Sequence, residues 1–443
     1  MYLTQTNLIR GLSKREYLML RMMCFFSKNL YNVTLYNIRQ YYFTEKKFLT
    51  YFDNCRICKE NENYKLLPAQ VAQQTLRKVD FAFRAFFATV GKVKGVNLPY
   101  YKEKGGLFTL TIPSQSIIIH DGFLFVPMSR AFRAIYGKSK LKSSDNSLGA
   151  DAILPAGIAP VNSSIGECRG NEKIKIKVPE RVSVKKIKEI RIIPIVNGKK
   201  FKIQYVYEIE EENLNLNQSE TLAIDIGLEN LATCISTVGT SFLMNGRGIK
   251  SINRLWNKRR AELQSRLPKN QHTSNLIRRL TLKRNNRVND CIKKTARYIV
   301  NHCIENNIGT IVCGYNPDFK RGINLGRKTN QQFTQISFGS LREQLENLCR
   351  RYGMNYLEQE ESYTSKASFL DLDEIPKYNA DNPKEYQFSG KRIKRGLYQS
   401  SDGRIVNADI NGAANILRKS SRNFDFEKLS RGLLASPLRI KLT

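Results

Sequence analysis

Few acids in this chain sit where an acid costs energy, and those few are where chemistry is to be sought. In Thr221-Leu-Ala-Ile-Asp-Ile-Gly-Leu-Glu-Asn-Leu-Ala-Thr233, the apolar run Leu222, Ala223, Ile224 and Ile226 reads as a short buried strand with Asp225 inside it. A buried carboxylate is costly unless a metal or a basic partner meets it. Asp225 therefore either caps the turn that starts at Gly227 or joins other acids around a cation. Asp409 lies at the first turn of a helix that begins with small residues, Asn407-Ala-Asp-Ile-Asn-Gly-Ala-Ala-Asn-Ile-Leu417. A third group, Glu358-Gln-Glu-Glu361, ends a strand that starts at Asn355. Carboxylate oxygens suit Mg²⁺, a hard ion that keeps some of its waters, and Mn²⁺ is a possible substitute. No His or Cys is needed, so the scarcity of histidine (His120, His272 and His302) is no obstacle.

The elements around these acids follow one order. After the Asp225 strand come Leu231–Ile235 and a third strand around Phe242–Met244. Two long basic helices are next, Ser251 to Arg266 and Thr273 to Asn306. On the second, Val288, Ile292, Thr295 and Ile299 mark the face turned to a sheet. Thr310–Cys313 is another buried strand, Leu341 to Tyr352 a helix stopped by Gly353, and Asn355 to Gln359 a further strand. Three strands, helix, strand, helix, strand, helix, with acids in the first strand and last helix, match a ribonuclease-H-like sheet. Such folds hold two divalent cations about 4 Å apart, against the attacking and leaving oxygens of a phosphodiester.

Charge points to the same substrate class. The chain has 443 residues, 73 Lys and Arg against 39 Asp and Glu, and a net charge of +34. Its length allows two or three domains. Its charge disfavours neutral metabolites and favours a polyanion, nucleic acid above all. No apolar stretch approaches the roughly 20 residues of a membrane span. With no signal-peptide pattern at Met1, the chain reads as an intracellular, cytoplasmic protein with no membrane partner. Most of the nine cysteines lie singly in apolar runs, as buried free thiols do. Cys55-Arg-Ile-Cys58 is half a zinc site with no second half nearby.

The first half is a β domain interrupted by helices. Residues 1–10 read as a strand, and the capping box Ser13-Lys-Arg-Glu16 opens a helix to about Tyr42. After a polar break, Leu67-Pro68 opens a second helix whose Leu76, Val79, Phe83, Phe86 and Val90 form a core face. Hairpins follow at Asp121-Gly122 and Asn197-Gly198. Ser143 to Asn171 reads as an exposed loop, and Glu208 to Gln218 as a linker.

Several stretches resemble the TnpB family, the transposon-encoded RNA-guided nucleases related to type V CRISPR effectors and Fanzor proteins. They are Ile224–Thr233, the basic helices with Lys283-Arg284, Tyr363-Thr-Ser365, Ala408–Ile416, and Leu67-Pro-Ala-Gln-Val-Ala-Gln-Gln74 running to Phe86-Phe87. The resemblance implies a multidomain α+β chain. A wedge β-barrel (1–10 and 95–215) would carry a helical recognition insertion (11–94), and a RuvC nuclease domain of ribonuclease-H-like α/β fold would span 216–443. It implies a guide RNA, from the element's own transcript or a CRISPR array, and double-stranded DNA targets beside a short flanking motif. Asp225 takes the first catalytic and metal-binding position and Asp409 the last. The family's middle Glu usually ends the strand here written Ile311-Val-Cys-Gly314, where this chain has Gly314. A nuclease-dead, RNA-guided DNA-binding repressor is one outcome. Relocation to the neighbouring strand end is the other, with Glu361 as the third catalytic and metal ligand and Glu360 its competitor. Asp225 and Asp409 both being present favours relocation. The family also places four zinc cysteines after Thr-Ser, whereas no Cys follows Cys349 here. No structural zinc is therefore expected in the insertion 366–404, whose Lys391, Arg392, Lys394 and Arg395 are candidates to meet target DNA.

Overall fold

A computed structural model describes residues 1–93, 95–136, 173–316, 330–331, 334–378, 385–420 and 434–441. The chain divides into two compact units, Met1–Ile209 and Glu210–Thr443.

In the first unit, β1 (Tyr2–Leu8) is followed by α1 (Lys14–Glu45), which Ser13 and Glu16 open with a reciprocal capping box. The expected polar break contains two short helices, α2 (Tyr51–Cys58) and α3 (Glu62–Leu66), before α4 (Ala69–Thr89). Thr50 and Asn61 cap them, so the polar residues that read as a break are helix starts. On α4, Leu76, Val79 and Phe83 are buried as expected, but Phe86 is only partly covered and Val90, past the helix end, is exposed. The strands are β2 (Leu110–Pro113), β3 (Ile118–His120), β4 (Phe123–Phe125), β5 (Lys175–Lys177), β6 (Ile187–Ile195) and β7 (Lys200–Glu208). Short helices α5 (Arg130–Tyr136) and α6 (Glu180–Ser183) lie between β4 and β6. Among the described residues they form two antiparallel sheets, ordered β1-β7-β6-β2 and β3-β4-β5. The β3–β4 turn places Asp121 and Gly122 at positive φ, the geometry an Asp-Gly hairpin favours. The Ser143 to Asn171 loop lies outside the described residues.

The second unit begins earlier than the sequence suggested. Glu212 and Leu214 donate backbone hydrogen bonds to the carbonyls of Arg351 and Tyr352, so the acidic stretch is docked rather than a free linker. Its sheet contains β8 (Asn217–Asp225), β9 (Asn230–Ser236), β10 (Ser241–Asn245), β11 (Ile308–Tyr315), β12 (Asn355–Glu360) and β16 (Leu438–Ile440). The order is β12-β11-β8-β9-β10-β16, with β8, β11 and β12 mutually parallel. β16, parallel to β10, has no counterpart in the sequence reading. Helices α7 (Arg247–Ser265), α8 (Asn275–Glu305) and α9 (Phe338–Arg351) cover one face, burying Ile249, Val288, Ile292, Ile299, Leu341 and Leu345 against Leu222, Ile224 and Ile311. Helix α10 (Ala408–Lys419) covers the other, packing Ile410, Ala413, Ala414 and Leu417 against Ala223, Ile235 and Val312. Apolar residues on both faces of β8 explain why its run reads as continuous rather than alternating. Between β12 and α10, β13 (Lys391–Lys394), β14 (Leu397–Gln399) and β15 (Ile405–Asn407) form a small antiparallel sheet. The described cysteines are all free thiols. No described helix is long and apolar enough to cross a membrane.

Candidate active site

The parallel strands β8, β11 and β12 end together, and the three acids singled out in the sequence gather there. Asp225 is the last residue of β8. Gly314 lies beside Gln359 and Tyr315 beside Glu360 in the β11–β12 register, so Glu361 follows at the tip of the strand next to Gly314. Asp409 sits in the first turn of α10, where the Asn407 side chain caps the backbone amides of Asp409 and Ile410. Both Glu361 and Asp409 bear electrostatically on Asp225.

Two glycines make that approach possible. A Cβ at Gly314 would stand 2.8 Å from Glu361 Oε2 and 2.6 Å from Ile416 Cδ1. A Cβ at Gly412 would stand 2.7 Å from Asp225 Oδ2, so a bare backbone lets α10 close over β8. A side chain at 314 and the present position of Glu361 are thus mutually exclusive. The small residue on β11 and the carboxylate on β12 are one arrangement.

The acids of the β12 tip are not equivalent. Glu358 pairs with Arg342 at 2.9 Å. Glu360 accepts from Lys419 Nζ at 2.6 Å and from the Ser362 amide at 2.6 Å. Burial pushes Glu360 up, but Lys419 and Ser362 outweigh it and hold the carboxyl below its usual range. Among the described residues, no hydrogen bond or ion pair reaches the Glu361 carboxylate. Burial, then the Glu360 charge, raise Glu361 from 4.5 to about 7, against Arg342 and Lys419. Burial, then Glu361 and Asp409, push Asp225 well above the ordinary carboxylate range, with Arg392 opposing. Both carboxyls are raised by burial and by neighbouring carboxylates, a pattern found at functional sites as well as in structural networks.

Asp409 is partly engaged. Its Oδ2 accepts from Asn230 Nδ2 at 2.6 Å, and Asn230 Oδ1 accepts from Arg439 of β16 at 2.7 Å. Its Oδ1 is 3.8 Å from an Arg392 Nη of β13. Among the described residues, no three His, Cys, Asp or Glu side chains are drawn together tightly enough to enclose a metal. Asn230 holds Asp409 by one carboxylate oxygen. The donor set nevertheless fits a hard divalent ion: oxygen ligands only, on two strand ends and a helix start. Asp225 and Glu361 also lack any described hydrogen-bond donor. Sequence reasoning passed over Asn230, although it stands within the Asp225 stretch, and did not find Arg439, which only the β16 pairing brings near.

Cations gather on the acid of the neighbouring turn. Glu229, in the turn after β8, meets Lys250, Arg395 at 2.8 Å and Arg247 at 3.6 Å. All of β13, Lys391 to Lys394, is exposed. The cysteine-free segment before α10 is tied by carboxylates instead. Asp371 Oδ1 accepts from the Ser401 hydroxyl at 2.6 Å, and Asp373 accepts from the Ser368 and Ser389 amides at 2.7 and 3.1 Å. Phe369 and Tyr398 are buried against α10. The segment folds on the core that α10 shares with the sheet.

Residues 204–319 match the OrfB_IS605 family model, described as a probable transposase, and residues 338–416 match the Cas12f1-like TNB domain. A cryo-EM structure of a Cas12f1–sgRNA–target DNA complex superimposes with a TM-score of 0.59 at 15% identity, covering 92% of this chain and 83% of that one. This likeness shows a shared fold of mixed α and β content. The mini-RNA-guided endonuclease Cas_phi3 matches over 96% of this chain and 94% of its own at 10% identity, with a TM-score of 0.42. A CRISPR-Cas12f ternary complex matches over 90% and 80% at 14% identity, with a TM-score of 0.32. No curated protein matches the chain.

Proposed function

We propose, for a chain related to the RNA-guided nucleases of the TnpB and Cas12 families, that it is an RNA-guided DNA endonuclease. Asp225, Glu361 and Asp409 form its catalytic, metal-binding site. The observation that carries this reading is Gly314: the strand has lost its carboxylate, and the space a side chain would fill is taken by Glu361. A chain that had merely lost the site would have no need to keep the position bare.

The sheet of the second unit is read as a RuvC domain of ribonuclease-H-like topology, within 216–443, with 366–404 as its target-nucleic-acid-binding insertion. In the first unit, the two antiparallel sheets (1–10 and 95–215) are read as the wedge β-barrel and the helices of 11–94 as its recognition insertion. Partners are a guide RNA and double-stranded target DNA next to a short flanking motif. Two Mg²⁺ ions, or Mn²⁺, would neutralise the carboxylates and clamp the attacking and leaving oxygens of the scissile phosphodiester. The chain's own residues do the rest. Asn230, braced by Arg439, fixes one oxygen of Asp409, while the other lies 3.8 Å from an Arg392 Nη. The exposed cations of β13 flank the acids and offer charge-assisted contacts to the backbone of the strand to be cut.

The test uses the purified protein, its flanking transcript, Mg²⁺ and a plasmid with a guide-matched target and randomised flanks. Cleavage is expected in the unmutated protein, and none with Asp225→Ala, Asp409→Ala or Glu361→Gln. Binding of the target without cutting would replace this reading with the RNA-guided repressor.

A further inference from the structure

Helix α10 does more than carry Asp409. Along its length it holds the segment that follows Glu361. Asn411 donates to the Ala367 carbonyl at 2.8 Å and accepts from the Phe369 amide at 3.2 Å. Asn415 donates to the carbonyls of Thr364 and Ala367 at 2.9 and 2.7 Å. Both asparagines are fully buried. At the last residue of α10, Lys419 is buried too, its side chain 6% exposed. Its ammonium has three partners: Glu360 Oε2 at 2.6 Å and the carbonyls of Ser362 and Pro376 at 3.0 and 3.2 Å. An ammonium carries three protons, so each is accounted for.

We infer that Lys419 is a positioning residue for the nuclease site. By fixing Glu360 and the Ser362 carbonyl on either side of Glu361, it selects Glu361, and not Glu360, as the carboxylate presented to the cation. The inference rests on the function proposed above. Side chains at 360 and 361 leave the chain in different directions, so anchoring one carboxylate to Lys419 directs the other toward Gly314 and Asp225. Because Asp409 starts the helix that Lys419 ends, α10 sets Glu361 and Asp409 in one frame. Removing the ammonium leaves the Glu360 carboxylate charged and held only by the Ser362 amide beside Glu361, where it competes for the cation and repels its neighbour. Partners that orient metal ligands commonly change metal affinity or activity 10- to 100-fold when lost.

The experiment measures Mn²⁺ binding by electron paramagnetic resonance, together with the Mg²⁺ dependence of cleavage, on the full chain with its RNA. Lys419→Met is expected to weaken Mn²⁺ binding about tenfold or more and to raise the half-saturating Mg²⁺ by a similar factor. Lys419→Arg should retain most of both. Lys419→Met with Glu360→Gln should recover to within about threefold of the unmutated protein, because the uncompensated charge has gone. A double variant no better than Lys419→Met makes Lys419 a packing residue and overturns the inference. So does Glu360→Gln, which should fold whatever Lys419→Met does, if it loses Mn²⁺ as completely as Glu361→Gln. If the unmutated protein binds no Mn²⁺ and cuts nothing, the nuclease reading itself falls. If it binds and cuts while Lys419→Met behaves identically, only the role of Lys419 falls.

Discussion

Replacing Glu361 by glutamine should make the protein more stable while making it inactive. The Glu361 carboxyl is raised from 4.5 to about 7 by burial and the Glu360 charge. A group whose folded-state value lies above its unfolded one keeps its proton longer when folded. It therefore costs nothing below pH 4.5, and stability is lost as pH climbs through 7. At about 1.4 kcal/mol for each pH unit between the two values, ionised Glu361 penalises the fold by about 3 kcal/mol at pH 8. A buried, unpaired amide retains a cost of about 1 kcal/mol, so Glu361→Gln should gain about 2 kcal/mol. For a unit of this size, that is about 4–8 °C in Tm. The assay is thermal unfolding of the metal-free protein with and without the substitution, at pH 8 and at pH 5. The gain should be present at pH 8 and nearly absent at pH 5. Millimolar Mg²⁺ should close the gap at pH 8 by stabilising only the unmutated chain, about 2.7 kcal/mol at a hundred times Kd. Equal melting temperatures at pH 8, or a variant that melts lower, would refute the claim that Glu361 is an uncompensated buried charge.

Other outcomes follow from the same geometry. Gly314→Ala places a Cβ 2.8 Å from Glu361 Oε2 and 2.6 Å from Ile416 Cδ1, too close for either to stay, and should cut cleavage at least tenfold while the chain still folds; its circular dichroism and turnover are measured together. Glu358→Gln breaks an outward pair with Arg342 and should leave cleavage within about threefold, so a dead variant would mean that the wrong acid of the β12 tip has been assigned. Asp373→Ala frees two backbone amides and the Ser389 hydroxyl, and should destabilise the β13–β15 segment by about 1–3 kcal/mol in urea unfolding, whereas EDTA should not change that segment's protease resistance. RNA affinity should fall steeply and linearly on a log–log salt plot, and a flat response would argue against phosphate contacts by this +34 chain.

How much of this was legible beforehand depended on how local each cause was. Asp225 at the end of an apolar run, Asp409 behind its Asn407 cap, the Ser13 capping box and the Asp121-Gly122 turn are local, and residue types a few positions apart determined them. The double-sided burial of β8 is visible as an unbroken apolar run. Val90 failed because spacing predicts a face but not where the helix ends, and the short helices α2 and α3 failed because their caps look like loop residues. Which acid of Glu358, Glu360 and Glu361 faces the site was beyond spacing alone. The tertiary structure pairs Glu358 with Arg342 and Glu360 with Lys419, residues 16 and 59 positions away, and that pairing supports Glu361 as the proposed ligand. The Arg439–Asn230–Asp409 chain likewise spans 209 and 179 positions and needs β16 beside β10. The sequence by itself thus determined that several carboxylates lie at strand and helix ends in a basic chain. Only the fold, through long-range pairing and the bare backbones of Gly314 and Gly412, decided which carboxylates were left without a partner and turned toward one another.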